Sequence, residues 1–351
     1  MILGTGVTRF LNRLAIDPSQ RQAQMAKSLG FSRSAINQVW KKMEEDHNLK
    51  VRSNLDYGAL GYHYVYGWGS TTDRGEAIGH LEAWLKRNPF TTTVYRSLMT
   101  SRMDTRIFFQ ALVPFGNHLA DYLQSLERFR KRPYSLDVSR DLCSTIADKL
   151  NFGYYSNGEW NFESEYRFQA SISAARSYAS VLPTGRVVKQ TTPSETDLVQ
   201  SIIGASMESD YFVTSANVTK QISRFQIPAL SERTLRRRIS VVRRSIADAY
   251  IELHNIGLPK TVIITLKESR GADTYRVLQA QSSLFPKVRT LSGTDSLVLI
   301  LEIPEQTDWF YISSAMSNIA NSASEICTFI AEQLPFRRWL RDVVGHLLSK
   351  S

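Results

Sequence analysis

In residues 19–29, Gln22, Met25, Ala26 and Leu29 share one helical face, Gly30-Phe31 interrupts the pattern, and Ser32 stands where its hydroxyl can cap a new helix. In that second helix Ala35, Ile36, Val39 and Met43 form the inward stripe. Ser34, Asn37, Gln38 and Lys41 fall on the other side at the ~100° step of an α-helix. The pattern predicts helix, tight turn, helix, followed by a short strand or wing at 50–55 and a strand rich in Tyr, Val and Trp at 63–70. The period then changes. A helix at 75–87 (Ile78, Leu81, Ala83, Trp84, Leu85) stops at Asn88-Pro89, and strands at 91–99 and 105–113 follow. An amphipathic helix at 119–129 and a strand at 135–143 complete a βαββαβ, ferredoxin-like order.

The same series recurs. Helices are predicted at 194–206 and 215–225, and Ser231 caps a third running to about residue 249. A strand at 261–267, a helix at 272–284, strands at 288–291 and 296–303, a helix at 308–320 and a strand at 325–330 follow. Leu60-Gly61 aligns with Ile256-Gly257, Pro89 with Pro286, Val113-Pro114 with Ile303-Pro304, and Cys143 with Cys327. The fold class is therefore α+β, with two winged helix-turn-helix domains (1–60 and 194–258) and two ferredoxin-like domains (61–150 and 259–333) in tandem. A connector at 151–193, with a helix at 163–179 and a break at 182–185, separates the halves. A short C-terminal helix, carrying Arg337, Arg338 and Arg341 beside Trp339 and Leu340, occupies 334–351.

The run Gln24-Met25-Ala26-Lys27-Ser28-Leu29-Gly30-Phe31-Ser32, with the helix after it, Leu60-Gly61 and Asn88-Pro89-Phe90, resembles the leucine-responsive regulator (Lrp/AsnC) family over most of residues 19–143, in particular its archaeal members. The resemblance implies a winged helix-turn-helix that binds double-stranded DNA, and a βαββαβ domain that pairs protomers and binds amino acids or similar small effectors. Leu291-Ser292-Gly293-Thr294-Asp295 resembles the family's glycine and aspartate turn between the second and third strands, which makes Ser292, Gly293, Thr294 and Asp295 candidate effector contacts. In the first half, Thr100-Ser101-Arg102-Met103-Asp104 keeps the aspartate, Asp104, and lacks the glycine. Two copies in one chain imply an intramolecular pseudo-dimer, with a homodimer as the alternative.

Composition narrows the field. The 351 residues carry 43 Lys and Arg against 33 Asp and Glu, a net charge of +10 that favours a polyanionic partner. No apolar run approaches the ~20 residues that cross a bilayer, and residues 1–10 lack signal-peptide features, so a cytoplasmic, nucleoid-associated location is expected. Cys143 and Cys327 have apolar neighbours and suit buried thiols, and the six histidines show no ligand spacing, so neither metal nor cofactor is expected.

Charge distribution then places the expected DNA contacts. On the first recognition helix they are Arg33, Ser34, Asn37, Gln38 and Lys41. On the second, Arg233, Arg236, Arg237, Ser240, Arg243 and Arg244 lie broadly opposite the stripe of Leu235, Ile239, Val242 and Ile246. With no P-loop, dinucleotide fingerprint or nucleophile elbow, the leading expectation is a non-enzymatic, sequence-specific transcription regulator. Two alternatives stand beside it. Some tetrapyrrole-processing decarboxylases share the Lrp-like fold, and His63, His80 or His118 could then serve as acid or base. The other is a ligand sensor or scaffold that has lost DNA binding. Tyr62, Tyr64, Tyr66 and Trp68 alternate along one strand and fit packing between sheets better than base stacking.

Overall fold

A computed structural model describes residues 3–72, 75–156, 158–162, 171, 173–181, 197–319 and 325–349. It opens with helices α1 (Thr5–Ile16), α2 (Gln22–Leu29) and α3 (Arg33–His47) and strand β1 (Lys50–Leu55). Gly30 ends α2 in the left-handed region, where glycine is free of Cβ strain, and the Ser32 hydroxyl accepts from the Ala35 amide at 3.1 Å to start α3. Ile36, Trp40 and Met43 pack on Phe10, Leu11 and Leu14.

The first α/β unit follows: β2 (Tyr62–Thr71), α4 (Glu76–Arg87), β3 (Thr91–Thr100), β4 (Thr105–Pro114), α5 (His118–Glu127) and β5 (Asp137–Leu142). A strand not predicted, β6 (Thr145–Leu150), comes next, then the small hairpin β7 (Tyr155–Ser156) and β8 (Glu159–Trp160). The second half repeats the plan with α6 (Leu198–Ser209), α7 (Ser215–Arg224), α8 (Glu232–Ser245) and β9 (Ala247–Glu252). Its α/β unit is β10 (Lys260–Lys267), α9 (Asp273–Gln281), β11 (Lys287–Ser292), β12 (Ser296–Ile303), α10 (Trp309–Ile319) and β13 (Glu325–Ala331). The short β14 (Phe336–Arg337) and α11 (Leu340–Leu348) close the described chain. The predicted connector break at 182–185, and parts of the helices predicted at 163–179, 194–206 and 308–320, lie outside the described residues.

Two differences from the predicted elements share one cause. The helix predicted to reach residue 249 stops at Ser245 because residues 247–252 pair antiparallel with β1, Lys50 opposite Glu252. Strand β6 pairs with β11, Asp148 opposite Arg289. Both pairings join distant segments, and local periodicity carries no trace of a partner that far away.

Ten strands form one sheet whose main order is β5-β2-β4-β3-β13-β10-β12-β11-β6, with β14 beside β3. The two ends of that order, β5 and β6, are consecutive in the chain. Between them the Cys143 amide donates to Tyr64 O at 2.7 Å and the Ser144 amide to Ser292 O at 2.8 Å, so the linking residues stay in the hydrogen-bond network and the halves are tied together. Helices α4 and α5 cover the outer face of the first half, α9 and α10 that of the second. The inner faces meet in one core, where Tyr64, Tyr66, Trp68 and Phe108 pack with Ile263, Leu291, Val298 and Phe329. The alternating aromatics of β2 are this core, and through it the two halves of the sheet pack on each other.

Candidate active site

Between the two inner sheet faces and strand β9 lies a cavity of about 320 Å³, inside the ~300–1,000 Å³ range of small-molecule sites. Arg289 of β11 forms one wall. Its Nε donates to both oxygens of Asp148, at 3.0 and 3.1 Å, and its guanidinium lies 5.4 Å from the ring centre of Tyr250. No described residue accepts a hydrogen bond from its Nη atoms, which leaves a fork free for a ligand oxygen. Burial works against the Arg289 charge, but the Asp148 carboxylate with Tyr250 and Tyr64 around it outweighs burial and keeps the group a cation. From β14, Arg337 reaches the Tyr95 hydroxyl at 3.2 Å, and Lys287 pairs with Glu302 at 2.7 Å.

Acids and phenols make up the rest of the lining. Tyr64 donates to Gln110 Oε1 at 2.7 Å, and Tyr57 donates to Glu208 Oε1 at 2.7 Å. Burial pushes the Tyr57 and Tyr64 hydroxyls well above the ordinary phenol range and Tyr250 up to about 12, so all three carry their protons at neutral pH. Burial also raises Glu208 above the usual carboxylate range. Glu252 goes the other way: against the upward push of burial, its bond to His254 and the charge of Arg52 hold it at about 2. Arg52 donates to the Glu252 carboxylate and stacks over Trp339 at 4.5 Å, holding together two residues of the cavity wall. Cations with unspent N–H groups can hold carboxylates here, and protonated phenols can give up a proton.

None of the residues predicted to contact DNA or an effector lines this cavity. Arg33, Ser34, Asn37, Gln38 and Lys41 are exposed on α3, with Lys41 3.6 Å from Glu45. Arg233, Arg236, Arg237 and Arg244 are exposed on α8, where Glu232 pairs with Arg236 at 2.5 Å. Ser240 and Arg243 are half-buried, and Arg243 is engaged internally, donating to Val213 O at 3.1 Å and stacking on Tyr211. At the predicted effector turn Ser292 and Gly293 are buried and Thr294 and Asp295 exposed. The chain's own Asp141 fills that turn, accepting from the Asp295 amide at 2.8 Å and Ser296 Oγ at 3.0 Å. Gly293 is required there by the close approach of Asp141 and Tyr66, not by a positive φ. Asp104 is paired with Arg106 at 2.8 Å, both side chains buried.

The three histidines raised for the enzyme alternative also lie elsewhere. His63 packs on Phe115 at 4.4 Å, where burial lowers its pKa, while His80 and His118 are exposed; the histidine on the cavity rim is His254. Arg289, Asp148, Glu208, Tyr57 and Tyr250 were not singled out from the sequence. Only the arginine cluster at 337–341 and the tyrosine stripe containing Tyr64 pointed toward this site.

No protein-family profile and no curated protein matches the chain. Among solved structures, the siroheme decarboxylase NirDL covers 98% of this chain and 97% of its own at 11% identity, with a TM-score of 0.55. The same enzyme in complex with an iron-uroporphyrin III analogue covers 94% and 92% at 9% identity, TM-score 0.50. An AsnC family transcriptional regulator from Agrobacterium tumefaciens covers 44% of this chain and 100% of its own at 18% identity, TM-score 0.31. The chain has a tandem Lrp-like fold. The expectation of a non-enzymatic, DNA-binding transcription regulator is overturned by the end-to-end match, which is to an Lrp-fold tetrapyrrole-processing enzyme. The physical reason lies in what the arginine helix does. Part of its charge is taken up by Glu232 and by the Val213 carbonyl, whereas the polar chemistry that converges from many segments is in the cavity. Among the described residues no helix is long and apolar enough to cross a membrane.

Proposed function

We propose that the chain decarboxylates a carboxylate-bearing tetrapyrrole in the cavity between its two halves. The observation that carries the proposal is Arg289, fixed by Asp148 with its Nη atoms unspent, facing a cavity that Arg337 and three protonated tyrosines also line. The full-length likeness in fold to a siroheme decarboxylase supports the same reading.

Decarboxylation breaks a C–C bond, leaves the electron pair on carbon and releases neutral CO2; a proton must then fill the carbon. A cation on the departing carboxylate would stabilise the ground state more than the transition state and slow the step. Arg289 and Arg337 therefore hold the carboxylates that remain, by charge-assisted hydrogen bonds, and fix the ring. The departing carboxylate faces the tyrosine wall, where a buried, weakly solvated environment disfavours its charge. An iron in the tetrapyrrole belongs to the substrate.

The test is a titration of the purified chain with iron-uroporphyrin III, followed by the Soret band, and an anaerobic incubation with siroheme read by mass spectrometry. Saturable binding and a product lighter by one or more CO2 are expected. Failure to bind, or recovery of unchanged tetrapyrrole from a saturated complex, refutes the proposal.

A further inference from the structure

Glu208 is a buried acid that the structural framework does not neutralise. It is 6% exposed, and its carboxylate accepts from the Tyr57 hydroxyl at 2.7 Å and from the Leu340 amide at 2.8 Å, with no Lys or Arg paired to it among the described residues. Arg52 is spent on Glu252 and donates to the main-chain carbonyl of Glu208 at 3.4 Å, not to its carboxylate. Other charged and titratable groups face it from several elements: Arg289 with its partner Asp148 from β11 and β6, and Tyr64 from β2, whose ring lies 5.1 Å from that of Tyr57. Burial outweighs the hydrogen bonds from Tyr57 and Leu340 and the charges of Arg289 and Arg52, and so raises Glu208 toward the neutral acid. Both Tyr57 and Glu208 line the cavity.

We propose that Tyr57 gives the proton that replaces CO2 on the substrate carbon, and that Glu208 behind it resupplies Tyr57. The inference rests on the decarboxylase reading above. A hydroxyl both donates and accepts, so one short Tyr57–Glu208 contact serves two proton arrangements. With Glu208 protonated, its O–H donates to Tyr57 Oη and frees the phenol O–H for the cavity. As the C–C bond breaks and the pair stays on carbon, that carbon takes the phenol proton. Tyr57 Oη takes the Glu208 proton, and CO2 leaves. Glu208 ends as carboxylate, accepting from Tyr57 and Leu340 as the structure shows, and water reprotonates it before the next turnover. One proton is consumed per CO2, and nothing is oxidised or reduced.

A purely structural pair would tie the loop at Tyr57 to α6 and α11, and its loss would lower Tm without changing the pH profile. The experiment is steady-state decarboxylation of siroheme by the unaltered chain, Tyr57→Phe and Glu208→Gln. In both variants kcat should fall ~10²-fold or more, the scale of a lost general acid, with KM and the Soret titration unchanged. In the unaltered chain kcat should decline as pH rises through the elevated Glu208 titration, and Glu208→Gln should lack that limb. If Glu208→Gln does not fold, Tyr57→Phe, which keeps the ring and removes only the hydroxyl, decides the matter. A Tyr57→Phe kcat within about threefold of the unaltered chain overturns the inference. A drop in Tyr57→Phe alone, with Glu208→Gln retaining rate and pH limb, overturns the role of Glu208. No reaction by the unaltered chain overturns the decarboxylase reading and this inference with it.

Discussion

Replacing Gly293 with alanine measures how strongly the two halves are tied. Gly293 sits in the turn between β11 and β12, where Asp141 reaches across from the first half. The carboxylate there accepts from the Asp295 amide at 2.8 Å and Ser296 Oγ at 3.0 Å, while the Tyr66 hydroxyl donates to Ser296 O at 2.8 Å. A Cβ at 293 would collide with the Asp141 carboxylate and stand 2.5 Å from Tyr66 Oη. The Tyr66 ring is fully buried and cannot swing aside, so Asp141 must leave the turn. Two hydrogen bonds to a charged acceptor contribute ~1.5–3 kcal/mol each, and the lower figure applies because half-buried Asp141 recovers water when displaced. The loss is therefore about 3 kcal/mol, with overpacking against Tyr66 adding ~1 kcal/mol or more. Urea unfolding followed by circular dichroism reads the loss directly. In an Asp141→Ala background the clash partner is gone, so the same substitution should cost less, with a coupling of ~1–3 kcal/mol between the two sites. A Gly293→Ala cost below ~0.5 kcal/mol, or strict additivity with Asp141→Ala, would refute the reasoning.

Two further perturbations address the cavity. Glu252, held at about 2 against an ordinary 4.5, contributes stability that is full above pH 4.5 and is lost as pH falls toward 2, up to ~3 kcal/mol. Glu252→Gln should flatten that limb of an acid titration followed by circular dichroism, and an unchanged limb would show that the Arg52 clamp does not act this way. Arg337→Met should weaken iron-uroporphyrin III binding by ~10-fold or more, the value of a charge-assisted hydrogen bond, while Arg33→Ala on α3 leaves it unaltered. Equal affinities in the Soret titration would count against Arg337 as a carboxylate contact.

Most elements of the fold could be read in advance because each is set by a local period and a local stop. Ser32 and Ser231 cap their helices through amides three residues on, Ala35 and Thr234, and Asn88-Pro89 ends α4. Residues 246–249 continue the spacing of the arginine helix, and only pairing with β1 turns 247–249 into a strand. The cavity was hidden for the same reason. Arg289 and Asp148 are 141 positions apart, Tyr57 and Glu208 151, Arg337 and Tyr95 242. Charges that are contiguous in sequence make the loudest local signal, and on α8 that signal drew attention to a surface partly answered by the protein's own Glu232 and Val213.

Duplication itself supplies the last step. In each half the strand that closes the α/β unit is followed by one that crosses to the second strand of the opposite unit: β6 after β5 pairs with β11, and β14 after β13 pairs with β3. These are matching places in the repeat, yet they carry opposite charges. At one, Asp148 meets Arg289 across the ladder; at the other, Arg337 stands opposite Thr93 and, among the described residues, bonds the Tyr95 hydroxyl. A strictly symmetric pair of halves would have placed the same residue at both crossings and given the cavity two like ends. Divergence at these two positions instead gives one end an ion pair and the other a guanidinium with no carboxylate within salt-bridge distance among the described residues, so the cavity has a direction built into it.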